Sequence, residues 1–520
     1  MKDNNRKKIK YMKMKSFQSI IIKSIYMLFT VLVFSHCNDK IQVLPRSNND
    51  LVMSEYIANN SDFSEFNGLL ISTGLDNLLS IRGPYSLFLP NNAAMKAYYT
   101  LKNINSYTDL DSLTRRELVL NHLVQKEFLV SNYQLGTLGS KNALGDNIVT
   151  EFQGVEIIIN KYAKIVKRDV RVSNGTIQII DKVLDPYKLG VYDVLAANPS
   201  YSIFTEGLKR TGLKDTLQVI SFIYGQNTAR TRYTILAIAD TTFNRFGITS
   251  IDDLINKCTS RPDSITYPGN GFYDFMDFHC LDKNAYYYSD YANKPTLYSV
   301  LSKNNNVQIR VVNGIVEINV SSVDGSYTGF YVDQSDNPAK NGVIHTINKL
   351  LEVSTPSPTT LIWEVTDYFD FKQGEYYLKH FQKFYDTAQF AGIRWQGEYL
   401  QYYIKPAQQA QPELNNDCLN MIGFWQIEVK TPKIMKGHYV VAARVWTGIA
   451  FAVYIDGEQT AIFKVSDVGT VNTACPEDPS SKLYKFGEVT WTTTSEHKIK
   501  LVAVNSGMLF FDRIEFGPIN

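Results

Sequence analysis

The segment Asn174-Gly175-Thr176-Ile177-Gln178-Ile179-Ile180-Asp181-Lys182-Val183-Leu184 returns as Asn341-Gly342-Val343-Ile344-His345-Thr346-Ile347-Asn348-Lys349-Leu350-Leu351. A second segment precedes each copy. The first version, Gly83-Pro84-Tyr85-Ser86-Leu87-Phe88-Leu89-Pro90-Asn91-Asn92, reads as turn, buried strand, stop and helix cap. Pro90 ends the strand because it has no N–H for a ladder, and Asn91 or Asn92 can cap a helix from Ala93. The second version runs Tyr233-Thr234-Ile235-Leu236-Ala237-Ile238-Ala239-Asp240, with Asp240 in the capping slot. Copies about 150 residues apart predict one αβ unit built twice in series. A chain of 520 residues is too long for one core, so further domains are expected.

Between these markers the periodicity is that of an α+β unit. Residues 51–79 carry apolar side chains three or four apart and end at Gly74-Leu75, a helix stop. Residues 307–320, turning at Asn313-Gly314, predict a hairpin. Asn121-His122-Leu123-Val124 and Phe278-His279-Cys280-Leu281 take matching places between the two markers.

These three segments, twice in order, resemble the fasciclin-like domain. Its signature is a Gly-Pro-aromatic strand, a Tyr/Asn-His segment and a closing Asn-Gly-x-Ile-x-x-Ile-Asp-x-Val-Leu. The second copy departs at its front, where Gly-Pro is missing and Asp240 replaces the Pro-Asn element. The resemblance implies fasciclin-like modules over residues 51–187 and 188–356. It also implies that His122 and His279 are buried helix histidines bonded to backbone, with an adhesion contact as the alternative role.

The first 37 residues read as a targeting segment. Arg6, Lys7, Lys8, Lys10, Lys13 and Lys15 precede an apolar run over residues 25–34 that is too short to span a bilayer, which takes ~20 residues. The run ends at Ser35-His36-Cys37. It resembles a bacterial lipoprotein signal, as in the surface lipoproteins of Bacteroidetes, and implies lipidation of Cys37 at an outer membrane or cell surface. His36 stands where such signals have a small residue. Residues 38–50 are a polar tether. Outside the inner membrane, Cys258 and Cys280, and Cys418 and Cys475, allow disulfides or free thiols, and the sequence does not choose.

Composition shifts after Pro358. All five tryptophans, Trp363, Trp395, Trp425, Trp446 and Trp491, lie beyond it. Runs of period 2 with turns such as Asp456-Gly457 predict an all-β sandwich or jelly roll over residues 359–520. The ending Leu509-Phe510-Phe511-Asp512-Arg513-Ile514-Glu515-Phe516 resembles the last strand of carbohydrate-binding, galactose-binding-like jelly rolls. The fold class expected is therefore multidomain α+β, two fasciclin-like modules followed by a β-sandwich.

Catalytic signatures are missing from the sequence: no Gly-x-Ser-x-Gly, His-Glu-x-x-His, P-loop or dinucleotide fingerprint occurs. Cysteine and histidine spacing does not suggest zinc. A net charge of +2, spread along the chain, gives no basic face for nucleic acid. No catalytic residue, metal or cofactor is expected. Carboxylates such as Asp109, Asp111, Asp252 and Asp253 sit at helix starts, where the macrodipole favours them. Aromatic content of 13% suits either recognition or plain sheet faces. A sugar's C–H face stacks on an exposed ring while amides bond its hydroxyls. Trp395, Tyr399, Tyr402, Tyr403 and Trp446 are the candidates for that role, and Trp425 and Trp491 are expected in the core.

These readings predict a non-enzymatic, lipid-anchored surface protein for adhesion or glycan binding, with the repeats as spacer or interaction modules. A protein-binding subunit of an outer-membrane glycan-import complex is the alternative, and a polysaccharide-active hydrolase a third. The partners expected are a glycan or a surface protein, the membrane through the lipid, and no nucleic acid.

Overall fold

The structure is a computed structural model that describes residues 51–519, except 82, 225–226, 283, 303–304, 354–356, 368–391, 405–416, 465–473 and 476–477. Cys37, the signal and the tether lie outside the described residues. Three sheets follow one another along the chain, with a separate two-stranded hairpin, Ser221–Tyr224 and Asn227–Arg230.

The first repeat opens with helices Met53–Ala58, Ser64–Ser72 and Asp76–Ser80, whose apolar stripe buries Phe66, Leu69, Leu70 and Leu79. Its sheet has seven strands. At its heart Tyr85–Pro90 runs parallel to Gly175–Ile180, Tyr85 opposite Gly175 and Pro90 opposite Ile180. Both strands are buried along their whole length, as parallel strands covered on two faces must be. The second repeat reproduces this register. Tyr233–Ile238 runs parallel to Gly342–Ile347, Tyr233 opposite Gly342 and Ile238 opposite Ile347.

The repeated Asn-Gly pair is the fastener of each unit. Asn174 accepts from Met53 N–H at 2.9 Å and donates to the carbonyls of Leu79 and Ile81 at 2.7 and 2.8 Å. Its own carbonyl accepts from Tyr85 N–H at 3.1 Å. Asn341 does the same, accepting from Val191 N–H at 2.8 Å and donating to Leu217 and Val219 carbonyls at 2.9 and 2.8 Å. Tyr233 N–H reaches its carbonyl at 2.9 Å. One side chain thus ties the start and end of the helical layer to the last strand. The glycine beside it is required by contact, since a Cβ at Gly175 or Gly342 would lie 2.0 or 2.1 Å from the carbonyl oxygen of Tyr85 or Tyr233.

The caps differ from expectation in one place. Asn91 caps helix Asn92–Lys102 through Ala94 N–H, as predicted. Asp240 does not cap its own helix. Its carboxylate accepts from Ser202 N–H and Oγ–H and from Ile203 N–H, at the start of helix Ser202–Arg210. By strand register Asp240 matches Asn92, which likewise accepts from Glu65 N–H at 3.0 Å. Asp111 and Asp253 are caps, hydrogen-bonded to Thr114 and to Thr249 and Ser250, which holds their carboxyls below the usual range. The hairpin at Asn313-Gly314 forms, with both residues at positive φ as a primed turn needs.

The third sheet has ten strands around one apolar core. Its longest strand, Asp417–Ile434, changes partner along one edge. Leu419–Met421 pairs with Leu509–Phe511, and 426–434 pairs with 495–502. The switch falls at Gly423, φ 87°, where the opposite strand Ile393–Ile404 also shifts register between Gly397 and Tyr399. A bulge at such a corner lets one strand serve two layers. Trp363, Trp395, Trp425 and Trp491 are buried in this core. Cys258 and Cys280 are free thiols, Cys280 buried and Cys258 half-buried.

Candidate functional site

The outer face of the third sheet gathers one row of side chains from four strands. Gln401 lies opposite Asn420, Asn420 opposite Phe510, and Phe510 opposite Trp446. Alternation turns these residues away from the core, while Tyr402, Leu419, Phe511 and Val445 fill it. Trp446 is 65% exposed, and its ring stacks on Phe510 with centroids 5.2 Å apart and planes 27° apart. Asn420 donates to Gln401 Oε1 at 3.1 Å, and its own buried Oδ1 has no hydrogen-bond partner. An aromatic platform beside amides is suited to a ligand with one apolar face and hydroxyls at its edge.

The sequence candidates divide on this geometry. Trp446 stands on the platform. Trp395 is 1% exposed and packs in the core, so it offers no surface for stacking. Tyr402 is also buried, its hydroxyl donating to Asp417 Oδ2 at 2.5 Å. Tyr399 and Tyr403 lie on strand Ile393–Ile404 opposite Ile422 and Cys418, and their side chains fall outside the described ones. Phe510, Asn420 and Gln401 were not among the predicted residues. Phe510 alternates with core residues Leu509 and Phe511, but only the strand register places it beside Trp446.

His122 and His279 follow helices Ser112–Asn121 and Gly271–Phe278 as their C-caps and are wholly buried. His122 Nδ1–H donates to Leu118 O at 2.7 Å, and Nε2 accepts from Leu184 N–H at 2.9 Å. His279 Nδ1–H donates to Phe275 O at 2.7 Å. Burial pushes each imidazole down to about 4, against the pull of those carbonyls, so both rings are neutral at pH 7. Neither reaches the surface, which removes them as contact residues. His345 is buried as well, because its strand is covered on both faces.

One constellation has the order of a hydrolase triad. Ser495 Oγ lies 3.2 Å from His497 Nε2, and His497 Nδ1–H donates to Asp456 Oδ2 at 2.8 Å. Its surroundings give it a structural role. Asp456 also accepts from Trp491 Nε1–H at 3.0 Å and Lys498 N–H at 2.9 Å, and His497 stacks on Trp491 at 3.8 Å. Ser495 and His497 are next-but-one residues on one strand. The cluster pins the Asp456-Gly457 turn, where Asp456 has φ 51°, to its neighbouring strand.

The two repeats meet at a buried ionic contact. Asp146, 2% exposed, pairs with Arg230 and lies 3.6 Å from Lys340 Nζ. Arg230 donates to Leu144 O at 2.8 Å and Arg232 to Gly145 O at 3.1 Å. Val149 of the first repeat packs with Tyr287 and Val343 of the second. The second repeat also meets the third sheet. Lys433 donates to the carbonyls of Val300 and Ser302 at 2.6 and 2.5 Å, and a cleft of about 950 Å³ opens beside this contact.

Known proteins match the chain in parts. The family model described as Fasciclin domain matches residues 61–186 and 199–353, more than half of the chain. Protein sll1483 of Synechocystis sp. is 27% identical over 152 residues, 28% of this chain and 82% of that protein. Human periostin is 27% identical over 135 residues, which cover 26% of this chain and only 16% of periostin. Among solved structures, a domain pair from the insect cell adhesion molecule Fasciclin I aligns with 56% of this chain and 98% of its own, at TM-score 0.27 and 15% identity. A family 35 carbohydrate binding module from Clostridium thermocellum aligns with 31% of this chain and 99% of its own, at TM-score 0.19 and 9% identity.

Proposed function

The chain belongs to the fasciclin-domain family, and from that premise we propose that it is a non-enzymatic adhesion protein whose third sheet binds glycans. Fasciclin domains are cell-adhesion modules, which supports an interaction role for the tandem repeats. The docked repeats then act as a stiff arm, since the Asp146 contact and the Val149 packing oppose bending between them. In this reading Cys37 carries lipid at the bacterial envelope and the arm holds the third sheet away from it.

The observation that carries the glycan reading is the exposed Trp446 ring, 65% accessible, stacked on a half-buried Phe510 on the sheet's outer face. A large aromatic left in water costs burial free energy, roughly 2 kcal/mol, that a stacked ligand would recover. A glycan array followed by calorimetric titration of the chain tests it. Neutral polysaccharide binding that falls at least tenfold in Trp446→Ala supports the reading, and silence across diverse polysaccharides rejects it. Labelling with an alkyne fatty acid, compared between the parent and Cys37→Ala, tests the anchor.

A further inference from the structure

The platform does not end at Phe510. Gly507 N–H donates to Gly423 O at 3.0 Å, which carries the pairing of Asp417–Ile434 with its neighbour beyond Leu509. Met508 therefore stands opposite Ile422, and both are exposed on the face that holds Trp446. Alternation past the buried Met421 and Trp425 puts Phe424 on that face too, 60% exposed. Trp446 and Phe424 thus mark the two ends of one apolar strip, with Met508 and Ile422 between them. Two strand spacings across and four residues along set those ends roughly 16 Å apart. Past Phe424, Gln426 donates to Gln396 across the strands, so an amide pair borders the strip. Glu398 borders it as well. Its carboxylate lies 2.7–3.0 Å from where a Cβ on Gly423 would stand, so glycine there leaves it room. Glu398 is exposed and has no ion pair or hydrogen bond from its side chain among the described residues.

We propose that this strip binds one extended, neutral, β-linked polysaccharide chain along its length, with Phe424 as a second stacking ring. The ligand class rests on the glycan reading; the strip adds length, shape and charge to it. Rings at the two ends hold separate sugars by their C–H faces, while the amides and the carboxylate bond hydroxyls near Phe424. A single file of apolar side chains fits a ribbon-like chain better than a wound α-linked one. The unpaired carboxylate repels uronates and sulfated sugars, and anionic lipid for the same reason.

The test titrates the full chain with the disaccharide and the hexasaccharide of the xylo-, manno- and cello-series. Maltohexaose and an oligogalacturonate serve as the wound and the acidic comparison. The expected result is that at least one β-linked hexasaccharide binds tenfold or more tighter than its own disaccharide, and tighter than both comparison ligands. Phe424→Ala should remove that gain without lowering the melting temperature, because the ring is exposed. Trp446→Ala should weaken both lengths. Equal affinity of the two lengths, tighter binding of a comparison ligand, or a full length gain in Phe424→Ala overturns the strip and leaves the platform standing. Silence of all three series overturns the strip alone if a glycan array shows binding that needs Trp446, and the glycan reading with it if the array is silent too. Binding to phosphatidylglycerol vesicles that Phe424→Ala abolishes would give the strip to a membrane and overturn the proposal.

Discussion

Replacing Asn341 by alanine removes three hydrogen bonds, to Val191 N–H and to the carbonyls of Leu217 and Val219. Each is worth about 1 kcal/mol net, and the orphaned N–H in a wholly buried site adds about 1–3 kcal/mol. The expected loss is about 4–6 kcal/mol, comparable to the whole stability of a small domain at ~5–15 kcal/mol. Asn174→Ala should cost a similar amount in the first repeat, because its bonds are the same in kind and number. Asn341→Asp should be worse than alanine at pH 7. It keeps the acceptor for Val191 but turns a buried carboxylate oxygen toward two carbonyls. Acidification that protonates it should recover part of the loss. Hydrogen exchange by mass spectrometry reads the effect locally. All five tryptophans lie beyond residue 358, so their emission follows the third sheet. The expected pattern is lost protection over residues 191–347 with an unshifted tryptophan transition in denaturant. A loss below about 1 kcal/mol, or protection lost equally in all three sheets, would refute the idea that this asparagine fastens one unit.

Three further outcomes follow from the same structure. His122 and His279 titrate near 4 when folded against 6.5 when unfolded, so the unfolded chain binds more protons between those values. Stability is therefore full above about pH 6.5 and falls as the pH drops toward 4, by roughly 3 kcal/mol per histidine, and denaturant titrations across this range should show that slope. Asp146→Asn removes the carboxylate that Arg230 and Lys340 share and should cost about 3 kcal/mol, with a broader distance distribution between the repeats in small-angle scattering. The protein should hydrolyse p-nitrophenyl acetate no faster than its Ser495→Ala variant, since Ser495 serves a turn; a clear excess in the parent would revive the triad.

The repeats were legible because a fully buried parallel strand leaves an apolar run that nothing on the surface imitates, and because the closing Asn-Gly cannot vary without losing three bonds and a close contact. What Asn-Gly does was not legible. The pair reads as a turn, and its partners lie 93 to 150 residues away in sequence. Asp240 misled for the same reason, since its cap serves a helix from an earlier part of the chain. In the third sheet the shift between Gly397 and Tyr399 inverts which side chains face inward. Before it Trp395 points to the core, and after it Leu400 and Tyr402 do. A single alternation drawn through the strand puts Trp395 on the wrong face. The platform itself required knowing that Phe510 sits between Asn420 and Trp446, a fact of pairing rather than of periodicity.

The parallel pairing of Tyr85–Pro90 with Gly175–Ile180 sets an order of events during synthesis. The earlier strand leaves the ribosome long before its neighbour exists, and the same holds for Tyr233–Ile238 and Gly342–Ile347. At the usual elongation rate the interval is roughly 5–20 s, during which a ribbon apolar on both faces has no mate. Each unit is thus a natural client for a holding chaperone or an export factor until its closing segment arrives.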